Sequence, residues 1–225
     1  IFHSLVSTHK CYEKNSFEAY DIIFSNGPYQ TRELKKAEEI YNFKQKKIFE
    51  TGYLYYEFLK KNKKNLPVKK GTILFAPSWN RNNKNLFDDY SHELISSLLK
   101  QNFKVIFRPH PELLKRSNKT LKKLVTSFKD NNNFRLNKDI TDVQYLEESE
   151  FLITDNGGMA LEYSTIFEKP TMYINYSEKI HNKDFKELDV STIEDTFKEM
   201  FCLSIKIDQI DEIQFLKKKM DSNFI

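Results

Sequence analysis

Residues 151–167 read Phe-Leu-Ile-Thr-Asp-Asn-Gly-Gly-Met-Ala-Leu-Glu-Tyr-Ser-Thr-Ile-Phe, and they decide the predicted fold class. The first four residues form a short β-rich run that predicts a strand. Gly157 and Gly158 follow as a turn, and residues 159–167 have the pattern of a helix. A strand, a glycine turn and a helix in this order predict one repeat of an alternating α/β fold.

The same alternation continues on both sides of this stretch. Further strands are predicted at 72–76, 104–107, 134–136 and 171–174. Helical spacing between them appears as two apolar faces, Leu94, Ile95, Leu98 and Leu99, then Leu121, Leu124, Val125 and Phe128. The fold class is therefore predicted to be α/β, with a Rossmann-like parallel sheet flanked by helices and joined by right-handed crossovers.

Three parts are predicted along the chain. Residues 1–65 are interpreted as the tail of a preceding Rossmann-like domain and a linker, 66–190 as the Rossmann-like domain, and 191–225 as closing helices, since the sheet pattern ends after Tyr176. The elements of the first part are strands at 21–24 and 48–50 and helices at 30–41 and 53–61. Within 60–70, six Lys and one Pro predict a solvated connection, with a phosphate- or lipid-facing patch as the alternative. Because the first residues resemble a domain interior, we expect the chain to be part of a longer protein.

Composition excludes several classes of protein. Hydrophobic residues make up 39% and aromatics 14%, enough for a buried core, and no apolar run reaches the roughly 18 residues that span a membrane. The net charge is +4, from 36 Lys and Arg against 32 Asp and Glu. Such a mild excess suits an anionic small molecule or a loose contact with a membrane surface, and we expect no nucleic-acid partner.

Cysteine and histidine spacing indicates neither a metal site nor a disulfide scaffold. Cys11 and Cys202 are far apart with no Cys-x-x-Cys motif, which is compatible with a reducing cytoplasm. The five histidines form no pair with zinc-ligand spacing, and the Gly-x-Ser-x-Gly motif of serine hydrolases is missing from the sequence. We expect no metal and no cofactor.

Polar motifs follow three of the predicted strands at the point where each strand ends. They are Ala76-Pro-Ser-Trp-Asn-Arg81, Arg108-Pro-His-Pro111 and Thr154-Asp-Asn-Gly-Gly158. Because ligands bind beyond the carboxyl ends of the strands in an open parallel sheet, we expect the three motifs at one edge. The candidate binding residues are Ser78, Arg81, Arg108, His110, Asp155, Asn156, Gly157, Gly158 and Glu162.

The glycine motif predicts a phosphate site. Gly157 and Gly158 at a helix start let backbone amides approach an anion, where the helix also carries partial positive charge. Glu162, one turn into the helix, can accept hydrogen bonds from ribose hydroxyls. The alternative is an ordinary tight turn, with Asp155 or Asn156 as the helix cap.

Arginine and histidine give the second motif its chemistry. Arg108 offers a planar fork for phosphate oxygens, and His110, held between two prolines, can donate to a phosphate or act as an acid or base. The alternative is a structural loop with an exposed Arg. His3, at the end of an N-terminal strand, is as compatible with a structural role as with a catalytic one.

These motifs resemble those of the CDP-glycerol glycerophosphotransferases, the teichoic-acid and capsule polymerases, which have two facing Rossmann-like domains in the GT-B arrangement. The motifs ending at Trp79, Pro111 and Asp155 are similar to the family's in order and spacing. Phe2-His3-Ser4 stands where the family has a His-Gly pair, and Glu50-Thr51-Gly52-Tyr53 resembles its Thr-Gly turn. The resemblance implies that this chain is the C-terminal part of such an enzyme, with 66–190 as its nucleotide-donor-binding domain.

The resemblance also implies an activity and its residues. It implies transfer of glycerol phosphate from CDP-glycerol to an acceptor hydroxyl, with release of CMP, at the inner face of the bacterial membrane and on a lipid-linked or saccharide acceptor. The implied roles are His3 as general base, Arg108 and His110 on the donor phosphates, Asp155, Gly157 and Gly158 along the donor pocket, and Glu162 on the ribose.

Two departures from the family pattern favour an alternative donor. His3 is followed by Ser4 in place of Gly, and Asn156-Gly157-Gly158 stands where the family has hydroxyl residues. Thr-Asp-x-Gly-Gly is similar to a motif of UDP-N-acetylglucosamine 2-epimerases and related sugar-nucleotide glycosyltransferases. A UDP-sugar-dependent glycosyltransferase or epimerase-like enzyme is therefore the alternative, and a non-catalytic binding domain is a further one.

Overall fold

The computed structural model describes residues 2, 4–80, 85–116 and 119–223. Its strands are β1 (Ile22–Ser25), β2 (Lys47–Glu50), β3 (Thr72–Phe75), β4 (Lys104–Phe107), β5 (Phe134–Leu136), β6 (Phe151–Thr154), β7 (Thr171–Asn175) and β8 (Cys202–Lys206). Its helices are α1 (Thr8–Cys11), α2 (Pro28–Tyr41), α3 (Leu54–Asn62), α4 (Leu86–Lys100), α5 (Pro111–Lys115), α6 (Lys119–Phe128), α7 (Gln144–Glu148), α8 (Met159–Phe167), α9 (Ile193–Phe201) and α10 (Ile213–Asn223).

The strands β3 to β8 form one parallel sheet in the order β5-β4-β3-β6-β7-β8. Counted from β3, this is the order 3-2-1-4-5-6 of doubly wound nucleotide-binding folds. The predicted Rossmann-like parallel sheet flanked by helices is confirmed. None of the helices in the described part of the chain combines the length and apolar character that crossing a membrane requires.

The prediction that the sheet pattern ends after Tyr176 is wrong, because strand β8 extends the sheet. Residues 202–206 pair in parallel with β7, although the sequence predicted closing helices for all of 191–225. The pattern of β8 is weak because only Ile205 of its five residues is buried. An edge strand of this kind is specified by its neighbour in space more than by its own sequence.

Helices cover both faces of this sheet because its central strands are apolar on both sides. In β3, Ile73 and Phe75 pack in one core cluster with α4, α6 and α10, while Leu74 packs in a second cluster with α3, α7 and α8. Successive side chains of a strand point to opposite faces, and a parallel sheet is therefore covered twice. Asn85 caps α4 by accepting a hydrogen bond from the Asp88 amide at 2.9 Å.

The strands β1 and β2 form a separate two-stranded parallel sheet. Helix α2 starts after Gly27, with Pro28 in its first turn, and its Leu34 packs with Ile23 of β1. The Lys-rich stretch 60–70, predicted as a solvated connection, begins in the last turn of α3 and continues beyond it. Its backbone is held on α7, since the amides of Lys64 and Asn65 both donate to the Glu147 carboxylate.

Candidate functional site at the sheet edge

The motifs that follow β3 and β6 meet at the carboxyl edge of the large sheet. These two neighbouring strands lead into connections on opposite sides, so the gap between them is the topological switch point where nucleotides bind in such folds. The Ser78 amide donates to Asp155 Oδ1 at 2.6 Å, and Ser78 Oγ donates to Asp155 Oδ2 at 3.0 Å. Asp155 therefore joins the ends of the two strands.

Asp155 is 1% exposed, and its burial raises the pKa of its carboxyl to about 6. The two hydrogen bonds from Ser78 favour the ionised form and lower the pKa, but burial is the larger effect. By donating to both carboxylate oxygens, Ser78 thus helps to accommodate the ionised form near neutral pH. In this geometry Asp155 holds the segments that follow β3 and β6 against each other.

Gly157 and Gly158 begin helix α8 in direct contact with other parts of the chain. Gly157 has a φ of +123°, a conformation that residues with side chains rarely adopt. A Cβ at residue 158 would lie 3.0 Å from Ser4 Oγ and 3.2 Å from the Leu5 amide nitrogen. The start of α8 therefore faces the Ser4–Leu5 backbone, and only glycine at 158 permits that approach.

The N-terminal segment that contacts α8 is held on one side by α2 and the turn before it, and on the other side by α9. Asn26 Nδ2 donates to the Ser4 carbonyl at 2.9 Å, and Gln30 Nε2 donates to the Val6 carbonyl at 3.1 Å. From the other side, the Ser7 amide donates to Glu194 of α9 at 3.0 Å. These bonds fix the wall of the site opposite Gly158.

Glu162 is buried behind the start of α8 and is hydrogen-bonded to Tyr53. The Tyr53 hydroxyl donates to Glu162 Oε1 at 2.8 Å. Burial raises the pKa of Glu162, whereas the Tyr53 hydrogen bond and the positive charge of Arg108 lower it. Tyr53 stands directly before α3, so it links the chain that enters the large sheet to the carboxylate of α8.

Arg108 follows β4 and binds the loop at 137–142. One terminal nitrogen donates to Asn137 Oδ1 at 2.9 Å and to the Asp142 carbonyl at 3.2 Å, and the other donates to the Ile140 carbonyl at 2.8 Å. The residue is 5% exposed, and burial lowers its pKa from the usual value. Its observed bonds therefore organise a loop beside the site.

His110 caps the next helix and stacks on the single Trp. Its Nδ1 accepts a hydrogen bond from the Glu112 amide at 3.2 Å, which places the proton of the neutral ring on Nε2. Its ring is stacked on Trp79 at a centroid distance of 6.0 Å, and the guanidinium of Arg116 lies 5.0 Å from the centre of the Trp79 ring. His110 is half-buried, and its contact with Trp79 brings the β4 motif against the β3 motif.

A family model described as CDP-Glycerol:Poly(glycerophosphate) glycerophosphotransferase matches residues 4–193, which include the three edge motifs. The chain belongs to this family. No curated protein matches the chain in sequence.

Three solved structures of low sequence identity are similar to this glycerophosphotransferase-family chain. A Methanocaldococcus jannaschii UDP-GlcNAc 2-epimerase, in complex with UDP-GlcNAc and UDP, is 15% identical with a TM-score of 0.49, covering 88% of this chain and 53% of the other. The wall teichoic acid polymerase TagF is 21% identical with a TM-score of 0.40, over 68% and 38%. A histidine-to-alanine variant of TagF is 17% identical with a TM-score of 0.42, over 94% and 60%. The chain thus spans about four to six tenths of these proteins.

Of the residues that the sequence predicted, Ser78, Asp155, Gly157 and Gly158 meet at the switch point. The side chain of Asn156 is hydrogen-bonded to residues outside the switch point. Its Oδ1 accepts from the Tyr173 hydroxyl at 3.1 Å, and its amide nitrogen donates to the Ser177 carbonyl. Arg108 is bound to the 137–142 loop, so its direct contact with donor phosphates stays a prediction. His3 and Arg81 lie outside the described residues, and their roles also stay predictions.

Sequence reasoning missed Tyr53 and the Ser4–Leu5 contact. Tyr53 was assigned only to a turn and a helix start, and its partner Glu162 is 109 residues away. Within the described residues, no group of three His, Cys, Asp or Glu side chains converges as a metal site would require. Local motifs could not have identified the Tyr53–Glu162 hydrogen bond or the approach of Ser4 and Leu5 to Gly158, because both depend on the packing of the N-terminal part against α8.

Proposed function

We propose that this chain forms the donor-binding part of a CDP-glycerol glycerophosphotransferase that builds a cell-surface polymer such as teichoic acid or capsule. The observation that carries the proposal is the family match over residues 4–193, which covers the whole sheet-edge site. The geometry supports it, because Gly157, Gly158 and the start of α8 offer backbone amides to phosphate at the switch point.

In the proposed reaction, the acceptor hydroxyl oxygen bonds to the phosphorus that carries glycerol. The bond from that phosphorus to the CMP oxygen breaks, and CMP leaves with the electron pair. The proton of the acceptor hydroxyl passes to His3, the proposed general base. His110 Nε2, which carries the proton of the neutral ring, donates to a donor phosphate oxygen and stabilises its charge.

The proposed site divides into residues that contact the donor and residues that position them. Glu162 accepts from the ribose hydroxyls, and Tyr53 holds its carboxylate in place. Asp155 joins Ser78 to the start of α8. The acceptor is proposed to be lipid-linked or a saccharide, and the enzyme to act in the cytoplasm at the inner face of the bacterial membrane.

Ligand-induced thermal stabilisation of this chain tests the donor class. A ligand that binds only the folded state at 100 times its Kd adds about 2.7 kcal/mol of stability. We expect CDP-glycerol and CMP to raise the Tm, and UDP-N-acetylglucosamine and UDP to leave it unchanged. A response to the uridine nucleotides alone would replace the proposal with a UDP-sugar glycosyltransferase or an epimerase-like enzyme.

Removal of the proposed base tests the chemistry. In the complete natural protein, His3→Ala is expected to lower the rate of CMP release at least ~100-fold, the usual minimum for a lost general base, while CDP-glycerol still binds. The control is His92→Ala, a substitution of an exposed histidine on α4. Turnover of His3→Ala at the unaltered rate would remove His3 from the mechanism.

Tyr53→Phe tests the positioning of Glu162. The tyrosine hydroxyl lowers the pKa of Glu162, so its loss raises that pKa and reduces the ionised fraction as the pH falls. We expect CDP-glycerol affinity to fall more at pH 6 than at pH 8 when measured by calorimetry. Tyr20→Phe is the control, because it makes the same change at an exposed tyrosine outside the sheet-edge site. A loss of affinity that is equal at both pH values would argue against this role.

A further inference from the structure

A groove of about 450 Å³ lies between α5, α6 and β5, on the β5 side of the large sheet. Its floor is aliphatic, and its lining residues are Leu113, Leu114, Leu121, Val125 and Leu136, with Lys122, Thr126 and Lys138. Leu114, Val125 and Leu136 are each only half-buried, although they border the main core. The sheet-edge site described above does not use these apolar side chains.

The chain around the groove is strongly basic. Residues 112–139 contain eight Lys and Arg against three Asp and Glu, a net charge of +5, whereas the whole chain carries +4. Glu112 pairs with Lys115 and Arg116, but in the described part of the chain no ion pair involves Lys122 or Lys138. Both lysines are exposed and border the apolar floor.

We propose that this groove seats an anionic phospholipid of a membrane surface. One acyl chain lies on the aliphatic floor, and the phosphate lies against Lys122 and Lys138, whose long side chains follow apolar surface and keep their charge in the polar region. Apolar area together with basic residues is what binds proteins to anionic membrane surfaces.

An acidic peptide fits the same groove less well. A peptide backbone needs hydrogen-bond partners along its length, and Thr126 is the one hydroxyl among the described lining side chains. An acyl chain has no such requirement. The inference stands apart from the proposed reaction, because binding to vesicles needs neither a donor nor an acceptor.

Co-sedimentation with vesicles tests the proposal. The protein is mixed with vesicles of phosphatidylglycerol and phosphatidylcholine, or of phosphatidylcholine alone, at low and high salt. We expect binding only to the anionic vesicles, weakened by salt. Lys122→Glu/Lys138→Glu should lower the affinity at least tenfold. The matched control, Lys218→Glu/Lys219→Glu, makes the same change of charge on exposed residues of α10 and should have little effect.

A second variant separates the groove from general charge attraction. Leu114→Gln/Val125→Gln keeps every charge and should also lower the affinity, with circular dichroism used to confirm its fold. Three results would each overturn the proposal: no binding to anionic vesicles, equal losses in the two lysine pairs, or full binding by a folded Leu114→Gln/Val125→Gln protein. The last result would assign the attraction to surface charge without an acyl-chain site.

Discussion

The two sheets of this molecule are both parallel, but they differ in how they are covered. In the large sheet, all residues of β3 and β6 are buried, with apolar clusters on both faces. In the small sheet, Ile22, Phe24 and Phe49 are 50%, 39% and 51% exposed. A parallel sheet is normally covered on both sides, so the small sheet has one open face within the described residues.

Because of this difference, we expect most of the chain's stability to come from the large sheet. Burial of apolar area stabilises the fold roughly in proportion to the area removed from water, and exposed side chains contribute little. The covered face of the small sheet packs on Leu34 of α2 and on Phe2, Tyr12 and Phe17 of the N-terminal segment. Hydrogen bonds add to this support, such as the one that the Lys46 amide donates to the Glu38 carboxylate at 2.8 Å. The site lies where the first part of the chain meets the large sheet.

The largest expected effect comes from the core of the large sheet. Phe107 is fully buried, with its ring centroid 5.6 Å from that of Phe75 and 6.1 Å from that of Phe87. Phe107→Ala should lower the free energy of unfolding by about 3–5 kcal/mol. Phe49→Ala, the matched change in the small sheet, should cost about 0.5 kcal/mol or less.

Urea unfolding of both variants measures this contrast. Similar losses in the two proteins would show that the open face of the small sheet is covered in solution, by another chain or by a second copy. That outcome would reverse the comparison. Repeating the Phe49→Ala measurement at several protein concentrations would then distinguish self-association from a change within one molecule.

The second effect concerns the loop that Arg108 holds beside the site. Arg108→Ala removes a buried cation and leaves the Ile140 and Asp142 carbonyls without their donor, which should cost about 2–4 kcal/mol. Arg108→Lys keeps the charge without the fork and should lose less stability. If Arg108→Ala instead keeps its stability and binds CDP-glycerol at least tenfold more weakly, the phosphate role implied by the family resemblance is the better one.

The smallest effect is a pH dependence at Asp155. Its pKa of about 6 in the folded state lies above its value in the unfolded chain, so its contribution to stability is complete at low pH and is lost as the pH rises through 6. Relative to Asp155→Asn, the native protein should gain about 1–1.5 kcal/mol between pH 7.5 and pH 5.

Unfolding of both proteins in urea at the two pH values checks this prediction. In Asp155→Asn, the side-chain carbonyl oxygen still accepts from the Ser78 amide, so the variant is expected to fold. Parallel behaviour of the two proteins from pH 7.5 to 5 would mean that Asp155 does not titrate in this range.

Much of the fold was predictable because the central strands can be recognised from their own residues. Strands β3, β4 and β6 are short apolar runs, and the polar motifs that follow them lie at one edge, as parallel pairing requires. Strand β8 was missed because it has one buried residue and pairs only at the outer edge of the described sheet. The Lys-rich stretch was predicted as a solvated connection, and most of its residues are exposed, while Glu147 binds its backbone at Lys64 and Asn65.

The candidate site was predictable in its place but not in its contacts. Gly157 and Gly158 indicated a helix start near the switch point, and Asp155 proved to join it to Ser78. The side chain of Arg108 has the chemistry of a phosphate ligand, but chemistry alone does not say which acceptors the fold brings within its reach. In the structure they are the carbonyls of a loop about 30 residues later.

By itself, the sequence determined the alternating α/β pattern, the family motifs and their position after the strands, because these depend on neighbouring residues. Only the tertiary structure decided that Tyr53 reaches Glu162, that Ser4 and Leu5 approach Gly158, and that β8 extends the sheet. Each of these contacts joins residues far apart in the chain. Their geometry follows from packing, which a local pattern of residue types does not specify.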